Sequence, residues 1–99
     1  MVTNMAYCYI LRSIKDYNLY VGSTTLDPTA RLAIHNAGKV RSTKTRRPFI
    51  LVYSQAFNTF SDARKFEWQL KYTPWGGKLK KQLVSPSAGS SNGPPEADK

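Results

Sequence analysis

YCYILRSIKDYNLYVGSTTLDPTARLAIH, residues 7–35, has the pattern of two short strands that are joined by a turn and followed by a helix. In the first strand the side chains alternate between the faces of the sheet, so Tyr9 and Leu11 lie on one face and Cys8 and Ile10 on the other. The polar turn residues of KDYN lead into LYVG, which supplies the second strand. The stretch therefore predicts a β-hairpin that carries tyrosines on both strands.

A capped helix is predicted after the hairpin. Asp27 is a good N-cap residue, Pro28 suits the first helical position, and Gly38 can end the helix in the left-handed conformation. Arg31 and His35 are four residues apart and therefore share one face of the helix. The tyrosine-bearing hairpin thus leads to a helix that presents an arginine and a histidine, a grouping that can carry chemistry.

The connection after this helix, residues 39–48, is strongly basic. One interpretation is a solvated loop without a ligand, since runs of charge often serve only solvation. The other is a phosphate-binding loop, which the overall positive charge of the chain favours. The candidates for phosphate contact are Lys39, Arg41, Lys44, Arg46 and Arg47.

Three further elements follow. FILVYSQAF, residues 49–57, is nearly all apolar and predicts a central strand covered on both faces, between or beside the first two strands. A second helix is predicted from about Asp62 to Tyr72, with Thr59 or Ser61 as its N-cap. KLKKQLV, residues 78–84, then predicts a short third helix with its leucines facing inward.

The second helix carries the two carboxylates between Pro28 and Pro95, Asp62 and Glu67. Asp62 falls in the first turn, where a negative charge suits the helix dipole, so its role is structural. Glu67 lies at the edge of the buried face. If the role of Glu67 is only structural, we expect it to form a salt bridge with Arg64 or Lys71, which are both within reach on the helix.

Composition favours a nucleic-acid partner. Fifteen lysines and arginines face six acidic residues, giving a net charge of +9. Such a surface attracts phosphate backbones or anionic lipids, but the basic residues form no amphipathic stripe. In addition, no apolar run approaches the roughly 20 residues of a membrane span. We therefore expect DNA, with RNA as the alternative, and no membrane.

Length and cysteine content indicate the number of domains, the kinds of cysteine site and the cellular location. The 99 residues predict one domain, residues 1–84, and a Ser/Gly/Pro-rich tail, residues 85–99, that is expected to be disordered. Cys8 is the single cysteine, which excludes an internal disulfide and a zinc cluster and predicts a small buried thiol. These features predict an intracellular protein of the cytoplasm or nucleus.

Two tripeptides carry a resemblance to a known family. Tyr7-Cys8-Tyr9 and Tyr20-Val21-Gly22 resemble the two signatures of the GIY-YIG nuclease superfamily, and the resemblance continues, over roughly residues 6–72, through Arg31, His35-Asn36 and Phe66-Glu67-Trp68. The last tripeptide and the stretch RRPF, residues 46–49, are similar to the nuclease domain of the structure-selective endonucleases of that superfamily. The length of the chain is similar to that of the small stand-alone bacterial members. Residues 1–84 are therefore identified as a GIY-YIG nuclease-like domain, an α/β fold with a small three-stranded, antiparallel-dominated sheet flanked by helices.

The resemblance also implies catalytic roles. It implies that Glu67 binds one divalent metal ion and that Tyr20 is the general base or orients the attacking water. Tyr9 assists through hydrogen bonding, Arg31 stabilises the transition state, and His35 helps in proton transfer or phosphate contact. The active site is expected on the sheet face near Tyr9 and Tyr20.

The residue types suit this chemistry. The guanidinium of Arg31 matches phosphate oxygens. Magnesium, with manganese as the alternative, accepts few protein carboxylates and keeps most of its waters, so the single Glu67 suffices for one ion but not for a two-metal site. Ser23 stands where some repair-type members of the superfamily have a lysine that could lower the tyrosine pKa, so the activation of Tyr20 is left open.

The predicted function is a metal-dependent DNA endonuclease, structure-selective and acting in repair or recombination. A protein partner is an alternative means of substrate selection, since the zinc-binding domain of the structure-selective enzymes cannot be built here. The first rival is a non-catalytic nucleic-acid-binding module that uses the basic loop, residues 39–47, and stacks bases on its tyrosines. The second is a small basic structural protein bound to RNA. Loss of cleavage in Glu67→Ala with binding retained would separate the nuclease from both.

Overall fold

A three-stranded antiparallel sheet flanked by three helices forms the core of the protein, which confirms the predicted α/β fold. The computed structural model describes residues 5–84, so the predicted tail lies outside the described residues. The strands have the spatial order β2-β1-β3. No helix within residues 5–84 has the length and apolar character needed to cross a membrane. The elements are β1 (Ala6–Ser13), β2 (Leu19–Thr24), α1 (Pro28–Asn36), a short 3-10 turn (Lys44–Arg46), β3 (Phe49–Phe57), α2 (Phe60–Tyr72) and α3 (Gly76–Val84).

The alternating side chains of β1 enter two separate cores. Cys8 and Ile10 lie on the face that packs against Leu70 of α2 and against α3. Tyr9 and Leu11 lie on the opposite face, where Leu32 of α1 completes the packing. Burial raises the pKa of the Cys8 thiol to about 12, so this cysteine is a protonated packing residue, as predicted.

β3 is an edge strand, so the prediction of a central strand covered on both faces was wrong. In the described part of the chain β3 pairs only with β1, and β1 occupies the centre. Ile50 is 46% exposed, and residues 54–56 are also exposed. The apolar run arises because Phe49 and Leu51 enter the α1-side core while Val52 and Tyr53 enter the other.

Local signals place the helix ends. The Asp27 side chain accepts a hydrogen bond from the Thr29 amide at 2.8 Å, and Pro28 occupies the first position of α1. Gly38 follows α1 with φ of +79°, a conformation that favours glycine. Thr59 caps α2 by accepting from the amide of Asp62, so that helix begins at Phe60 rather than Asp62.

Candidate active site

Gly22 allows the two tyrosine rings to approach each other across the hairpin. Gly22 is opposite Tyr9 in the β1–β2 register. A Cβ atom on Gly22 would lie 2.5 Å from the Tyr9 hydroxyl oxygen and 3.1 Å from the Tyr20 ring. With glycine there, the ring centroids of Tyr9 and Tyr20 are 6.4 Å apart. The second tripeptide therefore supplies both a tyrosine and the space that the first tyrosine occupies.

The α1 face predicted to carry Arg31 and His35 meets the Tyr9 hydroxyl. His35 Nε2 lies 2.9 Å from Tyr9 Oη, and Arg31 Nε donates to the same oxygen at 3.3 Å. The imidazole also packs edge-on against Tyr20, with 5.1 Å between ring centroids. Four of the five predicted catalytic residues thus form one cluster on the α1 side of the sheet.

Thr43 is hydrogen-bonded to the buried ring of His35 and is a site residue that sequence reasoning missed. The Thr43 hydroxyl is directed at the Val40 carbonyl at 3.4 Å and lies 2.8 Å from His35 Nδ1. If that hydroxyl donates to Val40, it must accept from Nδ1–H, which leaves Nε2 to accept the Tyr9 proton. Nothing in the sequence distinguishes Thr43 from Thr45, because the contact depends on how the loop folds back over α1.

Burial sets the ionisation of this cluster. His35 is fully buried, and burial together with the nearby Arg31 charge lowers its pKa to about 4. Burial likewise raises the pKa of Tyr9, although the hydrogen bond from Arg31 opposes the rise. At neutral pH the cluster therefore contains a neutral imidazole that accepts from a neutral phenol, with the guanidinium as its fixed positive charge.

Glu67 is held in place by three neighbours. Ser23 Oγ donates to its Oε1 at 2.6 Å, and Lys71 Nζ donates to its Oε2 at 2.8 Å. Arg64 is more distant, at 3.9 Å. Both salt bridges expected from the helix are therefore present, and the β2 serine adds a long-range contact that the sequence did not predict. The Glu67 side chain remains 16% exposed.

Lys71 connects Glu67 with the tyrosine cluster. Glu67 and Lys71 belong to α2, which packs on the other side of the sheet from α1. The Lys71 ammonium nevertheless lies 5.7 Å from the centroid of the Tyr20 ring. Burial alone would lower the pKa of Lys71, but the hydrogen bond and charge of Glu67 outweigh this and raise it. A positive charge is thus held beside Tyr20 from α2, although position 23 is a serine.

The residues near Glu67 fit one hard divalent cation. Within residues 5–84 no group of three or more His, Cys, Asp or Glu side chains could surround a metal ion. A carboxylate offers about four acceptor positions, of which Ser23 and Lys71 use one on each oxygen. Capacity therefore remains on both oxygens for an ion such as magnesium, which accepts one carboxylate and retains its waters.

The five basic candidates of the loop differ in their contacts. Arg46 pairs with Asp16 at 2.9 Å, and its hydrogen bond is the main cause that lowers the pKa of Asp16 to about 2. Arg47 Nε donates to the Lys44 carbonyl at 2.7 Å. These two arginines are therefore engaged in holding the loop. The side chains of Lys39, Arg41 and Lys44 are exposed, and for them phosphate contact stays a prediction.

Several known proteins are similar to this chain. A family model described as the GIY-YIG catalytic domain matches residues 5–74. The UPF0213 protein SH2523 of Staphylococcus haemolyticus is 47% identical over 75 residues, which cover 75% of this chain and 89% of that protein. The UPF0213 protein YsiG of Lactococcus lactis is 44% identical over 70 residues, 70% of this chain and 65% of that protein. A solution NMR structure of the UPF0213 protein BH0048 from Bacillus halodurans is 36% identical, covers 86% of this chain and 87% of that one, and has a TM-score of 0.49.

The matched segment contains the whole site described above. Residues 5–74 include both tripeptides, the Arg31–His35 face of α1 and Glu67 of α2. The relatives named are bacterial, so they do not support the nuclear alternative for the location of the protein. The family model covers well over half of the chain, and the chain therefore belongs to the GIY-YIG catalytic domain family, a family of nucleases.

Proposed function

We propose that this protein is a divalent-metal-dependent endonuclease that hydrolyses phosphodiester bonds in DNA. The observation that carries the proposal is the convergence of Arg31 and His35 on the Tyr9 hydroxyl, with Lys71, the ion-pair partner of Glu67, beside Tyr20. Hydrolysis of a phosphodiester needs an oriented water, a positive charge for the phosphate and a destination for a proton. The cluster offers a side chain for each need.

Arg31 binds and stabilises the scissile phosphate in this proposal. Its guanidinium is permanently charged, is partly exposed, and is oriented by the hydrogen bond to Tyr9. Charge that develops on the phosphate oxygens in the transition state is stabilised by donors that are already in position. Arg31 therefore acts on the reacting phosphate, and Tyr9 keeps the guanidinium in place.

Tyr20 orients and deprotonates the attacking water. Tyr9 is only 1% exposed, whereas Tyr20 is partly exposed, so Tyr20 is better able to meet a water molecule. The ammonium of Lys71 places a positive charge 5.7 Å from the centroid of the Tyr20 ring. The neutral imidazole of His35 is hydrogen-bonded to the Tyr9 hydroxyl and packs against both rings, so it holds the two tyrosines in position.

Glu67 holds the single metal ion, magnesium or alternatively manganese. When bound, the ion supplies Lewis-acid stabilisation of the phosphate and the leaving oxygen. Ser23 and Lys71 fix the orientation of the carboxylate that would receive it. Lys39, Arg41 and Lys44 contact backbone phosphates away from the cleaved bond, which suits an enzyme that selects DNA structure, as in repair or recombination.

The test is cleavage of labelled duplex, single-stranded, flap and four-way-junction DNA, with magnesium or with chelator. Glu67→Gln keeps the shape of the side chain and removes its charge, so we expect a loss of about 100-fold or more. Asp62→Asn is the matched control, because Asp62 is the exposed carboxylate in the first turn of the same helix. That variant should cut like the wild type.

Two results would contradict the proposal. One is a wild-type protein that binds the panel but cuts nothing with magnesium or manganese, which would favour the binding module. The other is equal cleavage by Glu67→Gln and Asp62→Asn, which would remove Glu67 from the mechanism. Far-UV circular dichroism of both variants shows whether they retain the fold.

A further inference from the structure

The outward face of α2 carries large aromatic side chains that the described part of the chain leaves uncovered. Trp68 is 57% exposed and Tyr72 is 65% exposed. Both follow Phe60 and Arg64 at intervals of four residues, so the four side chains form one line along the helix. A contiguous exposed aromatic surface on one helix face is a feature of binding sites.

An open groove of about 670 Å³ runs along this line and includes Glu67. The Trp68 and Tyr72 ring centroids are 5.8 Å apart, and the ring planes are inclined by 53°. Because of this inclination the two rings do not form one flat surface, and each can present its own face to a ligand. The Arg64 guanidinium lies over the Phe60 ring, so Trp68 is the freer stacking surface.

Positive charge accompanies the aromatic rings. Arg64, Lys65 and Lys71 line the same groove, and Arg64 and Lys65 are exposed. An apolar protein partner would gain nothing from these cations, whereas a nucleic acid strand offers phosphates to the cations and base faces to the rings. The groove also reaches Glu67, the residue assigned to the metal ion, so a strand bound in it would pass beside the reacting centre.

We infer that the α2 groove binds an unpaired nucleotide, with its base stacked on Trp68 and its phosphate near Arg64 and Lys65. This inference rests on the proposed function for the nature of the ligand, but it concerns binding and does not need catalysis. Such a groove would select DNA substrates that have unpaired bases next to the cleaved bond. A blunt duplex keeps its bases stacked inside the helix and cannot offer this contact.

The test measures binding in chelator, where a metal-dependent nuclease cannot cut. Trp75→Phe leaves Trp68 as the sole tryptophan, so quenching of its emission by oligothymidylate reports contact at this site. Affinities for labelled oligothymidylate and for a blunt duplex are then compared by fluorescence anisotropy. Stacking energies predict that Trp68→Ala weakens oligothymidylate binding by at least about fivefold. Duplex binding should be unchanged, and Trp68→Phe should restore most of the affinity.

Trp75→Ala is the matched control, because Trp75 is a 49% exposed tryptophan that does not line the groove. The inference is overturned if Trp68→Ala binds oligothymidylate as tightly as the wild type, or if Trp75→Ala weakens binding equally. It is also overturned if sedimentation shows that Trp68→Ala disrupts a dimer without changing DNA affinity, since a second copy would then cover this face. Absence of cleavage across the whole DNA panel would defeat the proposed function and leave this binding result standing.

Discussion

His35 should make the stability of the protein depend on pH in a way that one substitution can isolate. The imidazole is fully buried, and burial and the Arg31 charge lower its pKa to about 4. In the unfolded chain its pKa is about 6.5. As the pH falls below that value the unfolded state takes up a proton that the folded state does not bind until about pH 4. Stability is therefore full above pH 6.5 and decreases as the pH falls towards 4.

The size of the effect follows from the two pKa values. Between pH 7 and pH 5 the proton taken up by the unfolded state lowers the free energy of unfolding by about 2 kcal/mol. Carboxylates such as Asp16 also titrate on acidification, so the wild-type curve alone does not isolate His35. His35→Gln removes the titration and keeps groups that can accept from Tyr9 and donate to Thr43.

The assay is urea denaturation of both proteins at pH 7, 6 and 5, followed by tryptophan fluorescence. We expect the wild type to lose about 2 kcal/mol more than His35→Gln between the two ends of this range. His35 is the single histidine of the chain, so its imidazole signals in NMR can be followed without ambiguity. The reasoning is refuted if the two proteins lose stability in parallel, or if the imidazole of the folded protein titrates near pH 6.5.

Two further predictions concern positions that shape the site. Thr43→Val should leave the buried Nδ1 of His35 without its hydrogen-bond partner and lower the free energy of unfolding by about 1–3 kcal/mol. Thr43→Ser is the control that keeps the hydroxyl. Equal stability of all three proteins in urea would contradict a stabilising hydrogen bond between His35 and Thr43. Gly22→Ala should displace the Tyr9 and Tyr20 rings, because the added Cβ would lie 2.5 Å from the Tyr9 hydroxyl. We expect cleavage by Gly22→Ala to fall by about 100-fold. Gly77→Ala is the control and should cleave like the wild type, because a Cβ added there meets nothing within 4 Å. Normal cleavage by Gly22→Ala would show that the positions of the two rings do not affect catalysis.

Sequence patterns predicted most of the local structure of this protein. The alternation in β1, the Asp27 cap and Gly38 depend on neighbours within a few residues, and the structure places each as expected. The shared face of Arg31 and His35 follows from helical periodicity alone, and both side chains do meet Tyr9. The resemblance to the GIY-YIG family was likewise readable from short motifs in the correct order, and the family model confirms it.

Only the tertiary structure decided which strand is central and which residues support the site. The apolar sequence of β3 does not determine whether the strand pairs along one edge or both. Apolar side chains pack on the faces of a strand, whereas pairing depends on the backbone at its edges. The partners Ser23 and Glu67 are 44 residues apart in sequence, and Tyr9 and His35 are 26 apart. Such contacts arise from how α1 and α2 pack against opposite faces of the sheet, and no local pattern encodes that packing.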